Sequence, residues 1–171
     1  MHKLYTIGYE GASVDDLVNT MKAMGVEVLA DVRELPLSRK KGLSKNGLAE
    51  KLRGAGIDYN HFRDLGDPKA GRTAARQGNY EEFERIFTAH LASDRAQNAL
   101  DDLLEVAKCR LTCMMCFERC ATVCHRSYIA DQAAYAGFEI FNLVADRPEI
   151  YKSNDIQLPR YNPRKSLAAA E

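Results

Sequence analysis

The chain has 171 residues, 46% hydrophobic and 28% charged, which suits one soluble domain that builds its core without disulfides or a structural metal. Its formal net charge is zero, so no whole-molecule field draws it to DNA or to an acidic membrane, and any electrostatic function must come from a local patch. The opening "MHKLYTIGYEGAS" lacks the charged-then-apolar layout of a secretory signal, and no apolar run approaches the roughly 20 residues that span a bilayer; a cytoplasmic location without a membrane partner is expected.

In chain order, "KLYTIGY" predicts a strand near 3–9, followed by a helix near 14–24 with Ser13 as its N-cap. At Gly25 the helical pattern stops and an apolar run predicts a strand near 27–33. The same junction recurs at Gly56 and Gly137, placing helices near 44–54 and 126–136 before strands near 57–62 and 138–144. Gly past a helix end takes the left-handed cap conformation without strain, and the β-branched and aromatic residues that follow suit strands. Helices near 79–92 and 95–108 and a strand near 110–117, "RLTCMMCF", complete the set, with Ser44 and Asp94 as further N-caps. The stretch 64–78, "DLGDPKAGRTAARQG", reads as a long loop of the kind that is often functional.

Strands alternating with helices imply right-handed crossovers. The expected fold is therefore α/β: a single-domain three-layer sandwich with a mostly parallel five-stranded sheet and helices on both faces. The expected strand order is 3-2-1-4-5. This domain takes residues 1–145; residues 146–171 form a polar C-terminal tail that either wraps the domain or is mobile.

Ligands of open α/β sheets sit beyond the carboxyl ends of the strands. There the sequence delivers Tyr9 and Glu10, then Asp31, Arg33, Ser38 and Arg39, then His61 and Arg63, then Glu118 with Cys124, His125 and Arg126. Residues 33–53 hold seven Lys or Arg against Glu34 and Glu50, a local net of +5, and Arg63, Lys69, Arg72 and Arg76 add cations. Such runs are usually solvated surface. Placed at the active edge of a neutral chain, this one points to an anionic small molecule or nucleic acid, with phosphate the commonest anion.

The stretch "CFERCATVCHRS", 116–127, admits several readings. All five cysteines fall between Cys109 and Cys124, and an odd number in a reducing compartment argues against disulfides. A zinc site through Cys113 and Cys116 conflicts with the strand, because positions three apart point to opposite faces; no metal ligand is assigned. Cys120 and Arg126 have the spacing of a phosphatase-like loop but lack its usual glycine. Cys124, His125 and Arg126 stand at a helix N-terminus, where unpaired N–H groups attract anions and favour thiolate. Glu118 then acts as acid or base, or forms with Arg126 an ion pair that merely ties the loop down.

"TIGYEG", "DVRELPLSRKKG", "GIDYNHFRDLGDP" and "CFERCATVCHRSYIA" together resemble the domain of unknown function 488 family over about residues 4–144. The resemblance implies a bacterial or archaeal α/β domain. Its motif positions here are Gly8, Asp31, Arg33, Pro36, Ser38, Arg39, Gly66, Glu118, Cys124, His125 and Arg126. Cys120 lies outside that pattern, and Tyr9 stands where many members have His.

These observations join in an enzyme acting on a phosphate-bearing substrate, a nucleotide or nucleic acid, as a hydrolase or transferase. Arg33, Arg39 and Arg126, with Tyr9 and Ser38, bind the substrate. Asp31 and Glu118 supply acid–base chemistry or hold a divalent cation such as Mg2+. Cys124 or His125 is the nucleophile or proton carrier. On this reading Arg126→Ala abolishes anion binding and leaves the fold intact. The alternative is a non-catalytic nucleic-acid-binding or accessory domain using the cations of 33–53 and 63–76.

Overall fold

The computed structural model describes residues 2–153 and 156–164. Five strands, β1 (Lys3–Gly8), β2 (Val28–Asp31), β3 (Asp58–His61), β4 (Thr112–Cys116) and β5 (Glu139–Val144), fall inside the five predicted segments. All four strand pairings are parallel, in the order β3-β2-β4-β1-β5. The expected order 3-2-1-4-5 is corrected: β4 inserts between β2 and β1. Every residue of β4 is buried, whereas β3 and β5 are partly exposed. A strand with no polar face takes the centre of a parallel sheet, and the mixed strands become its edges.

Helices α1 (Val14–Ala23) and α2 (Lys45–Gly54) cover one face. Their Leu17, Met21, Leu48 and Leu52 pack on Ile7, Leu29 and Met115 of the sheet. Helices α4 (Tyr80–Leu91), α5 (Asp94–Cys109) and α6 (Arg126–Tyr135) cover the other, where Phe87, Leu103 and Ile129 meet Leu4, Ala30 and Met114. Strand alternation sends Cys113 to the first core and Cys116 to the second, so these two thiols face opposite layers.

The predicted loop 64–78 is instead a 3-10 turn (Arg63–Leu65) followed by helix α3 (Lys69–Arg76). Pro68 occupies the N-cap, and alanines fill the short helix, with Gly71 and Ala74 on its buried side. Ser13 closes a capping box with Asp16. The cap of α5 is Ser93 rather than Asp94, and its hydroxyl accepts from the Ala96 amide. Ser44 holds the N-cap position of α2, but its hydroxyl accepts from Ser38 N and donates to Ser38 O.

Connections leaving β1 and β2 run over one face, and those leaving β3 and β4 return over the other. Neighbouring chain segments thus diverge on both sides of β4, which opens a crevice at the carboxyl ends of the strands. The described part of the tail holds to the domain: a 3-10 turn (Pro148–Lys152) packs on α1, and Arg160 bridges Phe141 of β5. Tyr161 and Arg164 both bond Asp131 of α6. Positions 154, 155 and 165–171 of the predicted tail lie outside the described residues. Among the described residues no helix is long and apolar enough to cross a membrane.

Two glycines set how closely the loops at this edge approach. A Cβ on Gly8 would lie 1.7 Å from the carbonyl oxygen of Glu118, and one on Gly66 would lie 2.1 Å from the amide nitrogen of Glu34. Both obstacles are backbone, which cannot swing aside. Gly8→Ala and Gly66→Ala should each destabilise the fold by on the order of 3 kcal/mol, lowering the urea midpoint. Gly54→Ala, with nothing within 4 Å of its added carbon, is the matched control and should be neutral or stabilising.

Candidate functional site

A cavity of about 730 Å³ opens at the carboxyl edge of the sheet and takes its walls from the segments following β1, β2, β3 and β4. Five cations line it (Arg33, Arg39, Lys40, Arg72, Arg76) against three carboxylates (Glu34, Asp67, Glu118), so its net field favours an anion. A second depression, between α1 and α2, is open to solvent and bordered by Asp15, Lys22, Glu50 and Lys51; no strand end reaches it.

The β2 exit is built around a buried ion pair. Asp31 is fully buried, and Arg33 grips both its oxygens: Nε donates to Oδ1 at 2.9 Å and Nη2 to Oδ2 at 2.6 Å. Tyr59 OH also donates to Oδ2, at 2.6 Å. Burial works against the Arg33 charge, but the Asp31 hydrogen bonds and charge more than offset it. Arg33 Nη1 donates to Tyr9 OH and to the Leu43 carbonyl, so most of the fork is occupied within the protein. Asp31 is therefore not an acid–base or Mg2+ group of the cavity; it anchors Arg33. Of the two carboxylates expected to share a cation, Asp31 and Glu118, only Glu118 lines the cavity.

Two histidines hold the same exit. His125 Nε2 is 2.8 Å from the Val32 carbonyl, and His61 Nε2 is 2.8 Å from the Arg33 carbonyl. A carbonyl only accepts, so each Nε2 carries the proton. His125 lines the cavity, and its Nδ1 faces the Cys124 sulfur at 3.6 Å.

Helix α6 begins with Arg126, which is 0% exposed. Its Nε donates to the Thr6 hydroxyl of β1, and its Nη atoms donate to the Cys116 sulfur and to the backbone carbonyls of Glu118 and Arg119. It reaches neither the cavity nor the Glu118 carboxylate. The expectation that Arg126 binds substrate is corrected, and so is the Cys120–Arg126 phosphate loop: Cys120 is exposed while the guanidinium points inward. Cys124, 1% exposed, is also below the cavity wall, where a nucleophile could not meet substrate.

The Cys116 thiol donates to Glu118 Oε2 at 3.3 Å. Burial pushes the Glu118 carboxyl up, but hydrogen bonds from the Cys124 thiol and the backbone, with the nearby His125, outweigh it and hold the group below its usual range. Burial pushes the Cys116 thiol well up, so it stays a donor. Cys116, Glu118 and Cys124 bring one ligand atom each within 4.8 Å of one another, the only such group among the described residues. The Arg126 guanidinium against the Cys116 sulfur sets a positive charge on that cluster, and hard Mg2+ does not favour its thiols.

Asp67 is a further cavity residue, beyond those the strand ends predict. It is 7% exposed, lines the cavity, and its Oδ1 has no hydrogen-bond partner. Burial pushes its carboxyl up to about 6, against the pull of His125 and Arg72. Gly71 makes room for it: a Cβ there would lie 2.0 Å from Oδ1. The signal in the sequence was Asp-Pro at the head of α3, a segment read as loop. Ser38, Arg39 and Tyr9 do line the cavity. Arg39 and Arg76 have no ion pair or hydrogen bond among the described residues, whereas Arg72 pairs with Glu34.

The family model described as Domain of unknown function DUF488 matches residues 13–133. The chain belongs to the DUF488 family. Comparison with curated proteins and with solved structures gives no match. Within this DUF488 chain the matched range takes in Asp31, Arg33, Ser38, Arg39, Asp67, Glu118, Cys124, His125 and Arg126, and leaves Gly8 and Tyr9 outside it.

Two predictions separate scaffold from cavity. Arg126→Ala should cost about 3 kcal/mol or more of stability, because it orphans the buried Thr6 hydroxyl, the Cys116 sulfur and the carbonyls of Glu118 and Arg119; equilibrium denaturation measures it. For Asp67 the sign is the reverse. A carboxyl raised in the fold adds stability while protonated, and that contribution is lost as pH rises through about 6. Asp67→Asn should therefore stabilise the protein by about 1–2 kcal/mol at pH 8 and change little at pH 4, read from melting curves across that range.

Proposed function

We propose that this DUF488 protein is an enzyme that moves a proton on a phosphate-bearing substrate, a nucleotide or nucleic acid, held in the cavity beside β4. The observation that supports it most is a pair of carboxylates facing one cavity with opposite displacements: Asp67 pushed up to about 6, Glu118 held low. Environments that drive two acids apart suit one to give a proton and the other to stay ionised near neutral pH. Asp67 is the general acid or base. Glu118 supplies fixed negative charge opposite it. His125, with its proton on Nε2, is spoken for by the Val32 carbonyl and serves to position the wall. Arg39 and Arg76, which have no partner among the described residues, hold the phosphate through paired N–H groups. Hydrolysis and group transfer both fit this division of labour. Five free thiols suit a reducing compartment such as the cytoplasm.

Arg39→Ala and Arg76→Ala should each weaken binding of a phosphate-bearing compound by about tenfold in a calorimetric titration, with melting temperature unchanged. Asp67→Asn should retain binding and lose turnover. Affinity untouched by both arginine substitutions would sink the reading. Binding confined to long strands and falling steeply with salt would replace the enzyme by a nucleic-acid-binding domain.

A further inference from the structure

Among the described residues seven large apolar side chains are exposed, and five of them, Leu35, Leu37, Tyr80, Phe117 and Val123, line this one cavity. They come from three separate segments: the loop after β2, the head of α4 and the loop after β4. Single exposed apolar residues are ordinary, but their gathering around one concave site marks what the site holds. Aromatic rings add to the wall. Phe117 meets Tyr9 edge-to-face with ring centroids 5.4 Å apart, and the Arg33 guanidinium lies 5.3 Å from the Tyr9 ring. Because Asp31 holds Arg33, the Phe117 ring is set against a fixed partner rather than loose in solvent.

We infer that the ligand joins a planar aromatic ring to its anion, as a nucleoside monophosphate does, with the ring against Tyr80 and Phe117 and the phosphate on Arg39 and Arg76. This deepens the phosphate reading above and rests on it. A cavity of about 730 Å³ is of small-ligand size. Its polar atoms and its apolar rim share one opening, which a simple sugar phosphate would leave half unused. Rings prefer aromatic faces over aliphatic ones, and stacking is tolerant of which base is present.

The test compares adenosine 5′-monophosphate, ribose 5-phosphate, octyl phosphate and inorganic phosphate by calorimetry at one pH and salt concentration. The nucleotide should bind at least about tenfold more tightly than ribose 5-phosphate. Phe117→Ala and Tyr80→Ala, both at exposed positions and checked for folding by their melting curves, should bring that ratio toward one without weakening ribose 5-phosphate. Equal affinity of nucleotide and sugar phosphate, or a ratio that survives both substitutions, overturns the ring while leaving the phosphate. Tighter binding of octyl phosphate than of the nucleotide overturns it in favour of an alkyl chain. If none of the four compounds binds, the phosphate reading falls with it.

Discussion

A single buried cation joins three parts of this protein. The Arg126 guanidinium ties the head of α6 to Thr6 of β1 and to the two carbonyls that turn the chain out of β4. An unpaired charge in a core is expensive, and no carboxylate touches this one directly. The compensation is relayed. Arg126 donates to the Cys116 sulfur, and that thiol donates to the Glu118 carboxylate. One sulfur thus stands between a guanidinium that never meets solvent and a carboxylate that lines the cavity. Gly8 completes the joint, because its bare Cα lets β1 rest on the Glu118 carbonyl.

Seen this way, many motif residues are foundations rather than tools. Asp31 fixes Arg33, Arg33 fixes Tyr9, and the two histidines fix the carbonyls of Val32 and Arg33. Cys124 steadies Glu118 from beneath. The groups left with unspent bonding capacity at the cavity are Asp67, Arg39 and Arg76, and of these only Arg39 is a motif position. Rigid polar networks hold a site's geometry at the price of using up their own donors.

Three helix–glycine–strand junctions, with the apolar runs of β1 and β4 and the helical patterns before β4, made the five strands and five of the six helices legible. Strand order was not, because it depends on which strands are buried throughout and which keep exposed residues at an edge, which no local pattern states. Helix α3 was hidden by its shortness and by the Gly and Pro around Asp67. The edge on which reactive residues gather could be read from the strands. Which of them face inward could not: Asp31 and Arg126 differ from Asp67 and Arg39 only in partners that arrive from distant segments, such as Tyr59 and Thr6.

The central place of β4 also dictates the order in which the sheet can close. Strand β1 pairs only with β4 and β5, and β2 can find only β3 until β4 exists. A chain emerging from its N-terminus therefore holds its first strand without a neighbour until residue 116 is made, more than half the sequence later. Assembly must wait for one late segment to slide between two early ones, a non-local closure of the slow kind. Until then the edges of β1 and β2 that β4 will pair with have no native partner, and shielding them during synthesis is a task the native architecture cannot perform for itself.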